Sequence, residues 1–129
     1  EIAETCFDEL NEIGQRGTRF AVKPEHLVAK EFHPTKGNAY KFYYLNKIPK
    51  GVISLKRKCG TLTLSYDEKK IPYLGVWINN GRFKGFPCVA PEPCTVAFDK
   101  PSEAAKRGQY SIIPANGTFE FDLTFDVNK

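Results

Sequence analysis

Residues 118–127 constrain the fold most. Phe119, Phe121, Leu123, Phe125 and Val127 fall on one side of an extended chain, and Thr118, Glu120, Asp122, Thr124 and Asp126 fall on the other. Strict period-two alternation over ten residues describes a strand with one buried and one wet face. The Asn116-Gly117 dipeptide just before it is a turn signal. Residues 61–66 repeat the pattern, with Leu62, Leu64 and Tyr66 set against Thr61, Thr63 and Ser65. Residues 73–78 are almost wholly apolar, which predicts a central strand covered on both faces. Gly75 within that run predicts a bulge or a close approach by another group. Together 61–66 and 73–78 read as a hairpin.

Residues 41–45 and 52–55 add two strands, joined by a loop containing Pro49, Lys50 and Gly51. Residues 87–94 hold three prolines and predict an edge or irregular strand. Helical signals are short: 24–30, and 102–107 with Ser102 as the expected N-cap. Residues 1–20 carry only weak strand patterning. Six or more strands with almost no helix predict an all-β, antiparallel β-sandwich. The 129 residues make a single domain, 1–129, with no internal boundary. No initiator methionine opens the chain, so Glu1 reads as a processing point or a cut inside a longer protein.

Charge and cysteine exclude several functions. The net charge is +4, and the densest basic group, Lys56, Arg57 and Lys58, followed by Lys69 and Lys70, reads as a solvated hairpin end. Aromatic residues do not interleave with it as a nucleic-acid stacking platform requires, so no nucleic-acid partner is expected. No apolar run reaches membrane-spanning length, so no membrane partner is expected either. Cys6, Cys59, Cys88 and Cys94 lack metal or redox spacing. They read as reduced, mostly buried thiols in a cytoplasmic protein. The two histidines, His26 and His33, form no ligand cluster and read as surface or loop residues. No metal and no cofactor are expected.

One segment suggests chemistry. The lone Trp77 is followed by Asn79, Asn80 and Gly81, and downstream Glu92 stands between Pro91 and Pro93. The prolines fix the backbone around the acid. An acid in apolar surroundings holds its proton to higher pH, which suits proton transfer near neutrality. An indole beside amides offers an apolar face to a sugar ring and hydrogen bonds to its hydroxyls.

The run Tyr73-Leu74-Gly75-Val76-Trp77-Ile78-Asn79-Asn80-Gly81, then Gly85, then Val89-Ala90-Pro91-Glu92-Pro93-Cys94-Thr95 resembles the C-terminal part of the aldose 1-epimerase (galactose mutarotase-like) family. Within that family it is most similar to a divergent bacterial branch. Pro114-Ala115-Asn116-Gly117 and the strand after it resemble the family's closing turn and last strand. The resemblance spans about residues 40–127, with 72–95 its specific part.

The resemblance implies a β-supersandwich of which this chain is the C-terminal half, and interconversion of the α and β anomers of an aldose. A carboxylate takes the proton of the anomeric hydroxyl, a histidine protonates the ring oxygen, and the ring opens, rotates and recloses. Glu92 falls at the base position, and Trp77 and Asn79 fall near the cleft. Neither His26 nor His33 falls in the family's histidine pattern. The implied partner is a monosaccharide or sugar phosphate. A non-catalytic carbohydrate-binding β-sandwich is the alternative, and exposed strand edges would suit a homodimer.

Overall fold

The computed structural model describes residues 1–7, 11–29 and 37–129. Among these residues there are eight strands, β1 (Ile2–Thr5), β2 (Arg19–Ala21), β3 (Ala39–Tyr44), β4 (Val52–Arg57), β5 (Gly60–Tyr66), β6 (Tyr73–Asn80), β7 (Pro87–Cys94) and β8 (Leu123–Asn128). They form two antiparallel sheets, one ordered β2-β1-β3-β6-β7 and the other β4-β5-β8. The architecture is an all-β, two-sheet antiparallel sandwich. A single 3-10 turn, Pro24–Leu27, and one helix, α1 (Pro101–Lys106), complete the described elements. No helix among the described residues is long and apolar enough to cross a membrane.

The larger sheet has one apolar face and one, the polar face, on which charged groups are mixed with apolar ones. Ala3, Tyr40, Phe42, Val76 and Ile78 form the buried cluster of the first, packed by Phe20, Tyr44, Leu74 and Val89. Cross-strand register places Lys41 opposite Trp77, Tyr43 opposite Gly75, and Gly75 opposite Glu92. Directly paired residues point to the same side, so these five positions share the second face. The segment after β7 folds onto that face, and Ala97 and Phe98 join Cys6, Tyr43 and Tyr73 in a second buried cluster.

The central placement of β6 follows from its composition: it is apolar on both sides and lies between β3 and β7. That placement overturns the expected hairpin of 61–66 with 73–78. β5 pairs with β4 and β8, and residues 67–72 carry the chain from one sheet to the other, anchored by the buried Ile71. β7 is the expected edge strand. Pro87, Pro91 and Pro93 share one parity along it, so the intervening residues can supply the amides of the ladder to β6.

Gly75 has no bulge beside it, because the register runs unbroken from Tyr73 to Asn80. It marks a close approach instead: a Cβ there would lie 2.8 Å from Cε1 of Tyr43. The helix N-cap is Lys100 rather than Ser102, because Pro101 takes the first helical position. The turn at Asn116-Gly117 forms as expected, with Asn116 at φ 59° and the Gly117 amide donating to the Pro114 carbonyl at 2.9 Å.

The last strand is shorter than expected, and its apolar face is not covered. Phe125 is 61% and Val127 71% exposed. Alternation fixed which residues share a face, but no described layer lies over that part of the smaller sheet. The four cysteines are unpaired, but only Cys6 is buried; Cys59 lies exposed at the β4–β5 turn. Lys58 lies at the same turn and, like Lys56 and Arg57, is exposed, as a solvated hairpin end requires.

Candidate functional site

The polar face of the larger sheet brings together a cluster centred on Lys41. Its ammonium lies 2.6 Å from Oε2 of Glu92 and 2.6 Å from Oδ1 of Asp99. The Tyr43 hydroxyl donates to the same Asp99 oxygen at 2.9 Å, and the Cys6 thiol donates to Oδ2 at 3.6 Å. Lys41 reaches these partners past the Tyr43 ring, whose centroid is 5.3 Å from Nζ. Its side chain is only 15% exposed. A lysine this deep is rare unless paired, and here two carboxylates neutralise it.

The electrostatics follow from that packing. Burial opposes ionisation of Asp99, but hydrogen bonds from Lys41 and Tyr43 overcome it and hold the carboxyl below its usual range. Burial likewise works against the Lys41 cation, yet Asp99 and Glu92 keep it charged to well above the ordinary lysine range. Burial pushes the Cys6 thiol up to about 12, with Asp99 adding to the rise. Cys94 rises to about 11 for the same leading reason. Neither thiol is a thiolate near neutrality, which removes them as nucleophiles.

Glu92 therefore does not sit among apolar side chains, as the flanking prolines had suggested. It meets a fixed cation, and its side chain is 34% exposed. Its second oxygen accepts no hydrogen bond from the described residues.

Trp77 is on the same face, diagonal to Glu92 across the β6–β7 ladder, a spacing over which long side chains still meet. Its ring is part-buried, with the Phe83 ring edge-on at 5.6 Å. Its indole N–H is buried and has no acceptor among the described residues.

Asn79 is buried, and both ends of its amide are engaged. Nδ2 donates to the carbonyls of Phe83 at 3.1 Å and Phe86 at 2.8 Å, and Oδ1 accepts from the Phe83 amide at 3.2 Å. It closes the β6–β7 loop and sets the ring that braces Trp77.

His26 lies in the 3-10 turn, where Nδ1 accepts from the Lys23 amide at 3.1 Å and the ring meets Phe20 edge-on. His33 lies outside the described residues. No group of three or more His, Cys, Asp or Glu among the described residues is arranged to hold a metal.

Of the residues singled out in the sequence, Glu92 and Trp77 lie on the face of this cluster; Lys41, Tyr43 and Asp99 were not singled out. Lys41 did leave a signal: it is the one charge within Tyr40, Phe42, Tyr43 and Tyr44, a run otherwise wholly aromatic. A cation inside a central strand needs a buried partner. Asp99 left none, because its role depends on how residues 95–99 cross the sheet.

The fold and this cluster define an antiparallel β-sandwich with a carboxylate–lysine–carboxylate group beside an aromatic side chain. Compared with known proteins, the chain matches no family model, no curated protein and no solved structure.

Proposed function

We propose that this chain binds an aldopyranose on the polar face of its larger sheet, in the manner of the aldose 1-epimerase family, with Glu92 as the base for the anomeric hydroxyl. The observation that carries the reading is the Glu92 carboxylate, anchored through one oxygen by Lys41 and open at the other, on the face that carries Trp77. Trp77 would supply the apolar surface for the sugar ring, and Asn79 would hold the loop that braces it. In the forward step Glu92 takes the hydroxyl proton, the anomeric carbonyl forms as the bond from C1 to the ring oxygen breaks, and that oxygen takes a proton from an acid.

A second reading, binding without turnover, is favoured by one observation: the described residues around Glu92 supply a base but no acid. His26 is occupied elsewhere, and Lys41 is held firmly in its charged form. Polarimetry of freshly dissolved α-D-glucose and α-D-galactose separates the two. Epimerase action requires acceleration that Glu92→Gln abolishes. Binding alone predicts saturable sugar binding with the uncatalysed rate unchanged. Four unpaired thiols suit a reducing, cytoplasmic setting. The open edge and exposed apolar residues of β8 suit a homodimer.

A further inference from the structure

We infer that Asp99 and Lys41 are positioning residues for Glu92, acting in series: Asp99 fixes Lys41, and Lys41 fixes the carboxylate that faces the ligand. This rests on the proposed sugar site and assigns roles within it.

The two acids are held differently. Both oxygens of Asp99 are engaged, by Lys41 and Tyr43 on one side and Cys6 on the other. Glu92 is held by one oxygen only. Three donors tie Asp99 in place and only one holds Glu92, so Glu92 keeps more acceptor sites for a ligand. Lys41 projects from β3, between β1 and β6 in the sheet, so its base moves little. Its two contacts place the facing oxygens of Glu92 and Asp99 on one cation, and the group keeps a net charge of −1.

A second observation concerns the backbone. Phe98, immediately before Asp99, has φ 67°, in the left-handed region that a bulky side chain rarely adopts. The ring is buried against Tyr43, with centroids 5.4 Å apart, and the Arg107 guanidinium lies 4.2 Å from the ring centroid on its face. This packing holds the unfavourable conformation, and its consequence is to turn Asp99 toward Lys41. Strain kept in place by surrounding structure is a mark of functional positions.

The test uses Lys41→Met, Lys41→Arg and Asp99→Asn in the full chain, each assayed well below its own thermal midpoint. D-galactose and D-glucose are titrated against Trp77 fluorescence at neutral pH. A charge-assisted hydrogen bond implies affinity about tenfold weaker or worse in Lys41→Met. Lys41→Arg should recover most of it. Equal affinity in Lys41→Met and wild type, or no recovery in Lys41→Arg, would overturn the inference.

Nitrogen-15 NMR of the Lys41 ammonium tests the clamp without sugar. Its slowly exchanging signal should persist in Glu92→Gln and vanish in Asp99→Asn. Wild type that binds neither sugar but shows this ammonium pattern contradicts the proposed function while leaving the clamp intact. An ammonium signal unchanged in Asp99→Asn contradicts the clamp itself.

Discussion

The two sheets use the same alternating strands and end up in different surroundings. In the larger, β3 and β6 lie between neighbours on both sides, and Phe42 and Ile78 are fully buried. In the smaller, β8 has one neighbour, and Leu123, Phe125 and Val127 face outward from an open edge. Cross-strand pairing aligns apolar side chains in both, but burial requires a second layer, and among the described residues none covers the apolar side chains of β8. Its polar face also carries the charged cluster. Stability and candidate chemistry therefore concentrate in the same five strands.

The largest effect should come from the buried ring at the centre of this contrast. Phe42→Ala removes a side chain packed against Phe20 and Tyr44 and should cost about 3–5 kcal/mol by denaturant unfolding. Phe125→Ala should cost less than about 0.5 kcal/mol. An equal loss at both positions would break the contrast and show that the smaller sheet is covered in solution. Sedimentation would then identify a second copy as the cover, if mass and the Phe125→Ala penalty both depend on concentration.

Next comes Glu4, a buried acid on β1. Arg107 grips it through two nitrogens, at 3.0 and 2.8 Å, and Arg19 approaches at 3.0 Å. The Arg107 hydrogen bonds lead in holding its carboxyl below the usual range, against burial, with Arg19 assisting. A depressed folded value means the stabilisation is complete above the unfolded carboxylate range, near pH 4, and is lost as pH falls through the lower folded value. Asp99 behaves in the same direction. Glu4→Gln should cost about 2 kcal/mol at neutral pH, less than a wholly buried pair because Arg19 and Arg107 reach water. It should also flatten the fall in stability on acidification.

A smaller effect is expected at Gly75. Gly75→Ala forces the Tyr43 ring to move and should cost about 1–2 kcal/mol. Because Tyr43 holds Asp99, the same change should weaken sugar binding more than its stability loss explains. Unchanged affinity would separate the packing of that face from its chemistry.

Local patterning made β5, β6 and β7 legible, including the central position of β6 and the edge position of β7. It did not reveal which strands pair. Residues 61–66 and 73–78 are near in sequence and part of different sheets, because the two-sided apolar character of β6 is satisfied only between β3 and β7. Glu92 and Trp77 were visible through the prolines and the lone indole. Lys41 was half-visible as a charge among aromatics. Asp99 was hidden because a left-handed Phe98, which no local preference favours, sets its direction. Asn79 stood out as an amide near Trp77, but its bonds go to the loop carbonyls of Phe83 and Phe86, which spacing alone does not expose.

The most direct test of the account titrates D-galactose and D-glucose against the fluorescence of Trp77, the only tryptophan, in wild type and Glu92→Gln. The expected result is a saturable change in wild type for at least one sugar, weakened about tenfold or more in Glu92→Gln as a charge-assisted hydrogen bond is lost. No response to either sugar, or identical curves for the two proteins, would contradict the assignment of this face as an aldose site built on Glu92.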